Sequence, residues 1–157
     1  MNLPFKQVFD FFSIPGFSRK LNNMCRSFDT LYENYGHVVA QQVMQFPGPI
    51  SERETVTVNT NRIEGNKGYV GNKTINFPFK QHKGTEISIV HGSGFVITAI
   101  DANRTDVLYV SDVDPGGWIP GFVKKGVAGK RASFLEEIEP KIRELNKWSY
   151  IDQYSIL

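Results

Sequence analysis

Cysteine is almost missing from this sequence. Cys25 stands alone among 157 residues, so no internal disulfide can staple the fold, which suits a reducing compartment. Charge of one sign is missing too. Lys and Arg number 18 and Asp and Glu number 16, leaving a net charge of +2 and no basic run, so no nucleic-acid partner is implied. No stretch approaches the roughly 20 apolar residues of a membrane-spanning helix. The first residues carry Lys6 and Asp10 among apolar neighbours and lack a signal-peptide layout.

The chemistry-bearing motifs are equally sparse. His37, His82 and His91 lie far apart without metal-ligand spacing, so no metal is expected. Gly65-x-x-Gly68-x-x-Gly71 does not follow a strand and open a helix, so it reads as a hairpin turn and not a phosphate loop. Asp112-x-Asp114 begins like a calcium loop, but Val123 occupies the position that needs a bidentate Glu. Gly92-Ser93-Gly94 lacks nucleophile-elbow spacing. Cys25 has no local signature of a nucleophile, and no carboxylate pair is placed for acid–base work. The expectation is no catalytic residue, no cofactor and no enzyme.

What the chain does contain is apolar and aromatic. Apolar residues make up 40% and aromatics 13%, with twelve Phe, which argues against disorder and allows a pocket wall or a plain Phe-rich core. Phe5, Val8, Phe9 and Phe12 after Pro4 predict a short amphipathic helix that stops near Pro15-Gly16. Residues Phe17 to Phe28 read as a second short helix or turn. Residues 38–46 follow as a strand with Val38, Ala40, Gln42, Met44 and Phe46 on one face. Glu54 to Asn61 and Tyr69 to Phe77 form a hairpin about Glu64–Gly68. Residues 77–84 read as a loop. Ile87 to His91, Phe95 to Ile100 and Val107 to Val113 add three strands, with turns at Gly92–Gly94 and Asp101–Asn103. From Trp118 to Leu145 the apolar residues recur at helical spacing, and Pro140 should kink that helix. The expected fold is α+β: about six antiparallel strands gripping one long C-terminal helix, with short helices at the N-terminus. The layer between sheet and helix is where an apolar ligand would sit.

Two separated motifs carry a resemblance. Asp114-Pro115-Gly116-Gly117-Trp118-Ile119-Pro120 matches the segment that joins the last strand to the C-terminal helix in START domains, the steroidogenic-acute-regulatory-protein-related lipid transfer domains. Asp114 caps the turn, the glycines reverse the chain and Pro120 starts the helix. Pro47-Gly48-Pro49-Ile50-Ser51-Glu52-Arg53-Glu54 is similar to the family's Pro-x-x-Ser-x-Arg-Asp, with Glu54 for Asp. The resemblance runs from about Leu3 to Leu145. It implies a helix-grip fold over residues 1–147, a C-terminal tail at 148–157, and family elements upstream of Met1 that the sequence lacks.

The resemblance also implies a function: one lipid bound in a buried pocket and carried between membranes, without catalysis, by a cytoplasmic protein peripheral at membranes. The candidate lipid-binding residues are Gln42, Arg53, Asn59, Asn72, Trp118, Phe122, Val127, Phe134 and Ile138. In the cholesterol-binding branch a pocket Arg stands where this chain has Asn59, and its acidic partner falls near Gln42, so a buried Arg–carboxylate pair is not expected. Pro-Gly-Gly-Trp, Gln42 and Asn72 are similar to the ceramide transfer branch, and amides suit a ligand with amide and hydroxyl groups. Lys141 mismatches that branch's pocket Tyr. The ligand is left open among phospholipid, ceramide and sterol. Phe77, Phe79, Lys80 and Lys83 are the candidate membrane contacts, with inward packing of the two Phe as the plainer alternative. A missing first strand would leave a sheet edge open to self-association. The competing readings are a non-transferring regulatory domain with a vestigial pocket, and an enzyme on the same fold.

Overall fold

The computed structural model describes residues 1–14, 24–46, 48–121, 135 and 137–145. Helix α1, Phe5–Ser13, begins where Pro4 presets the backbone and its carbonyl accepts the N–H of Gln7 (3.1 Å) and of Val8 (3.3 Å). Val8, Phe9 and Phe11 are buried. Seven strands follow: β1 Cys25–Asn34, β2 His37–Met44, β3 Arg53–Glu64, β4 Lys67–Thr74, β5 Glu86–Ile87, β6 Ile89–Asp101 and β7 Arg104–Asp114. They form one sheet in the order β1-β2-β3-β4-β6-β7, all antiparallel, while the two-residue β5 pairs in parallel with β3. Residues 137–145 are helical. This is the helix-grip arrangement that the residue pattern predicts.

Two expectations are corrected. Cys25 to Phe28 are not helix or turn; they open β1, a ten-residue strand paired along its length with β2. The remainder of the Phe17–Phe28 expectation lies outside the described residues, apart from Met24, which accepts a strand-like bond from Gln45 N–H (2.7 Å). Gly92-Ser93-Gly94 is no turn. Residues 89–101 run as a single strand with a register shift between Val90 and Gly92. A Cβ on Gly94 would meet the Val70 carbonyl oxygen at 2.0 Å, so glycine serves close strand approach there. Pro140 sits inside the helical run 137–145, and the residue four before it lies outside the described residues.

The register sorts side chains onto two faces, because residues directly opposite point the same way. Val38, Ala40, Gln42 and Met44 lie opposite Asn59, Thr57, Thr55 and Arg53 on the inner face. Gln41 and Val43 lie opposite Val56 and Glu54 on the outer face. β2 is buried on both sides at Val38, Val39, Ala40 and Gln41. Alternation alone would leave one side wet. The other side is covered because residues 75–85 cross the outer face before returning as β5.

The main core closes one end of the inner face. Leu3, Val8, Phe9 and Phe11 of the N-terminal segment meet Ile97 of β6 and Ile138 and Ile142 of the C-terminal helix. Ile138 and Ile142 are one helical turn apart and each is 1% exposed. Phe9 lies against Gly68, where an added Cβ would meet its ring at 2.3 Å. Glu139 Oε2 accepts the N–H of Asn2 (3.1 Å), and Arg143 donates to the Asn2 carbonyl, so the helix is tied to the chain start.

Candidate functional site

Beyond the α1 end, the inner face turns polar. Tyr109, Phe95 and Phe12 stack into an aromatic shelf, with Phe95 to Tyr109 at 4.9 Å and Phe12 to Phe95 at 4.1 Å between centroids. The next row across the sheet is Asn59, Asn72, Ser93 and Ser111, each directly opposite the next. Asn59 is held by its own sheet, its Nδ2 donating to the carbonyls of Val38 (3.2 Å) and Thr57 (3.3 Å). Among the described residues its Oδ1 is left as an acceptor. Asn72 is half-buried and its amide makes no hydrogen bond among the described residues. Among the described residues Ser93 Oγ reaches the Tyr109 hydroxyl, at 3.5 Å.

Gln42 belongs to the same face but not to the same cluster. It lies opposite Thr55, four residues before Asn59 on β3 and so about 13 Å away along an extended strand. Its Nε2 donates to two sulfurs, Cys25 Sγ (3.3 Å) and Met44 Sδ (3.2 Å), which are weak acceptors.

Arg53 closes the far end. It is 2% exposed and its donors go to backbone carbonyls: Nε to Pro115 (2.8 Å), Nη2 to Gly116 and to Trp118 (both 3.2 Å), and Nη1 to Ser51. Its guanidinium carbon lies 5.8 Å from the Phe46 ring centroid. The two sequence motifs therefore meet, with the Arg of one holding the turn of the other. Asp114 Oδ1 accepts the Gly116 N–H (2.9 Å), as a capping residue should. Gly116 and Gly117 both have positive φ, and a Cβ on Gly116 would lie 2.1 Å from the Ile87 carbonyl oxygen.

The outer face carries the opposite chemistry. Glu54 is fully buried, and its carboxylate accepts from Thr85 Oγ1 (2.6 Å), His82 N–H (2.9 Å), His82 Nδ1 (2.9 Å) and Gln41 Nε2. Burial alone would push the carboxyl up. The bonds from Thr85, Gln41 and His82 outweigh it and hold the pKa at about 2, against 4.5 for a free glutamate. Gln41 Nε2 also donates to the Lys80 carbonyl (3.0 Å). The network is structural in form, since both carboxylate oxygens of Glu54 are satisfied by side-chain and backbone donors.

The structure thus gathers Asn59 and Asn72 into one row, sets Gln42 and Arg53 further along the same face, and buries Ile138 in the core cluster. Trp118 contributes its carbonyl to Arg53 while its side chain is 74% exposed. Phe122, Val127 and Phe134 lie outside the described residues. Phe77, Phe79, Lys80 and Lys83 belong to the segment that crosses the outer face; Phe77 is half-buried, 6.5 Å from the Tyr32 ring, and Phe79, Lys80 and Lys83 are exposed. Sequence reasoning missed Ser93, Tyr109 and the role of Glu54. For Glu54 the only signal was its place in the Arg53-Glu54 motif. Among the described residues no group of three His, Cys, Asp or Glu side chains could hold a metal, and no helix is long and apolar enough to cross a membrane.

The structure is similar to the crystal structure of human STARD10, with a TM-score of 0.85 and 15% identity over 95% of this chain and 62% of that one. It is similar to human StAR-related lipid transfer protein 5 (TM-score 0.81, 13% identity, 93% of this chain and 73% of that one). It is also similar to a STAR-related lipid transfer protein from Xanthomonas axonopodis (TM-score 0.73, 18% identity, 91% and 81%). At these identities the likeness concerns the fold. The chain spans less than two thirds of the STARD10 structure's length. No curated protein sequence matches significantly. A family model for the START domain matches residues 22–147, which take in both motifs, the six-strand sheet path and the helix at 137–145. This chain belongs to the START domain family of lipid-binding and lipid-transfer domains.

Proposed function

We propose that the chain binds a single lipid between the inner face of the sheet and the C-terminal helix and carries it between membranes. The supporting observation is the unfilled hydrogen-bonding capacity of the inner face. Among the described residues Asn72 has no hydrogen-bond partner, Asn59 keeps a free acceptor, and the Gln42 amide donates to sulfurs. Half-buried polar groups of this kind lose about 1–3 kcal/mol each if burial leaves them unmatched, so they favour a ligand that matches them. The apolar chains supply the driving force, at about 0.8 kcal/mol per buried CH₂.

Ceramide or a sterol fits this face better than a phospholipid. Between Arg53 and the Asn59 row the inner-face residues of β2, β3 and β4 are neutral, and Nε, Nη1 and Nη2 of Arg53 each already donate to backbone carbonyls. A phosphodiester would find no free cation among the described residues there, and an unpaired buried ion costs several kcal/mol. Native mass spectrometry of the purified protein tests the reading. A bound mass of one neutral lipid is expected. A bound phospholipid would move the headgroup reading but keep the function. An empty protein that extracts nothing from mixed vesicles would favour the regulatory reading and sink this one. The same spectra count protomers, and so test whether copies pair through an edge of the sheet, which ends in β1 and β7.

The membrane-facing element in this proposal is residues 77–83. Phe79 inserts at the interface while Lys80 and Lys83 meet anionic headgroups, each contributing about 1 kcal/mol near such a surface. A cytoplasmic, peripheral location belongs to the same proposal. Vesicle co-sedimentation of the wild type and a Phe79→Ser, Lys80→Ser, Lys83→Ser variant decides it: the wild type sediments more, and loses the difference in high salt. Equal sedimentation of the two folded proteins removes this loop from the proposal.

A further inference from the structure

Adjacent strand residues point to opposite faces. From the pair Arg53 and Glu54 we infer a coupling device: the turn at 114–118 on one side of the sheet and the segment at 80–88 on the other open and close as one unit. The inner turn hangs on Arg53 through the carbonyls of Pro115, Gly116 and Trp118. The outer segment hangs on Glu54 through the backbone N–H of His82, its Nδ1, and Thr85 Oγ1.

β5 closes the ring. It follows Thr85 directly and lies along Arg53 and Glu54, with Glu86 N–H on the Glu52 carbonyl (2.8 Å) and Ser88 N–H on the Glu54 carbonyl (2.9 Å). The inner turn rests on the same two residues. A Cβ on Gly116 would lie 2.1 Å from the Ile87 oxygen, and one on Gly117 would lie 3.2 Å from Glu86 Cγ. A strand of two residues has little stability of its own and moves with whatever anchors it. Releasing Glu54 from Thr85 and His82 therefore frees β5, and freeing β5 removes the bed under Gly116. The coupling stands independently of any ligand. Its use as a release trigger, in which a membrane pulling on residues 77–83 loosens the turn beside the inner face, rests on the lipid-transfer reading.

Hydrogen exchange read by mass spectrometry on lipid-free protein tests it. Thr85→Val keeps the side chain's shape and deletes the bond to Glu54; Glu54→Gln removes the charge. In either variant, residues 82–88 should exchange about tenfold faster or more, since bonds to charged groups are the strong ones. The 114–118 turn should speed up with them, although no substituted atom touches it, while β4 stays unchanged. Faster exchange at 82–88 with an unchanged turn overturns the coupling, and so does no change in either segment. If Glu54→Gln does not fold, Thr85→Val gives the reading. Wild type mixed with phosphatidylcholine–phosphatidylserine vesicles separates the two claims. Coupling in the variants with no vesicle effect on the turn leaves the device and removes the membrane as its trigger.

Discussion

The two faces of β3 differ more than alternation requires. On the outer face one full charge, Glu54, is buried with each of its polar neighbours satisfied. On the inner face no free charge is present from Thr55 to Asn59, yet the amides there are under-used. A saturated network binds the protein to itself. An unsaturated one is available to something else. The difference separates structure from site within a single strand, and substitutions on either face can break it.

The largest effect is expected at Arg53. Arg53→Ala leaves the part-buried carbonyls of Pro115, Gly116 and Trp118 without their donor, and thermal unfolding should show a loss of about 3 kcal/mol or more. An unchanged melting temperature would mean that the turn holds without it. Glu54 comes next and carries a pH signature. Its folded pKa of about 2 lies below the free value of 4.5, so the stability it contributes is present above pH 4.5 and disappears as pH falls towards 2. That gap corresponds to roughly 3 kcal/mol. Melting curves from pH 5 to 2 should show this slope in the wild type and lack it in Glu54→Gln.

Gly68→Ala probes the closed end of the inner face. Its methyl would meet the Phe9 ring at 2.3 Å and push α1 off the sheet. Overpacking of this kind costs about 1–3 kcal/mol, measurable by denaturant titration, and no loss would show that α1 can slide. Asn72→Leu should have the smallest effect on stability, within about 0.5 kcal/mol, because its amide has no partner to lose among the described residues. The same substitution should cut extraction of a neutral lipid from vesicles about tenfold. Undiminished extraction would detach the polar row from the ligand.

Much of this was readable from residue order. Turn chemistry marks Glu64–Gly68 and Asp101–Asn103, alternation marks β2 and β3, and the hairpin and the apolar run place β4 and β7. β1 escaped because Cys25–Asn34 is polar and largely exposed as an edge strand, so no periodic apolar face announces it; only pairing with β2 makes it a strand. β6 was split because Gly92-Ser93-Gly94 has turn composition, while its glycines serve contact with the neighbouring strand. At the site, Gln42, Arg53, Asn59 and Asn72 were singled out one by one, but their grouping was not.

Residue order by itself determined which groups could face the same way, because strand periodicity is local, and it placed the Asp114–Pro120 turn because capping and left-handed glycines act over a few residues. Only tertiary structure decided that Arg53 spends its donors on that turn, that residues 75–85 cover the outer face of β2 and β3, and that Asn59 and Asn72 stand side by side. Those facts depend on strand register and on contacts between residues far apart in the chain, and no short-range pattern encodes them.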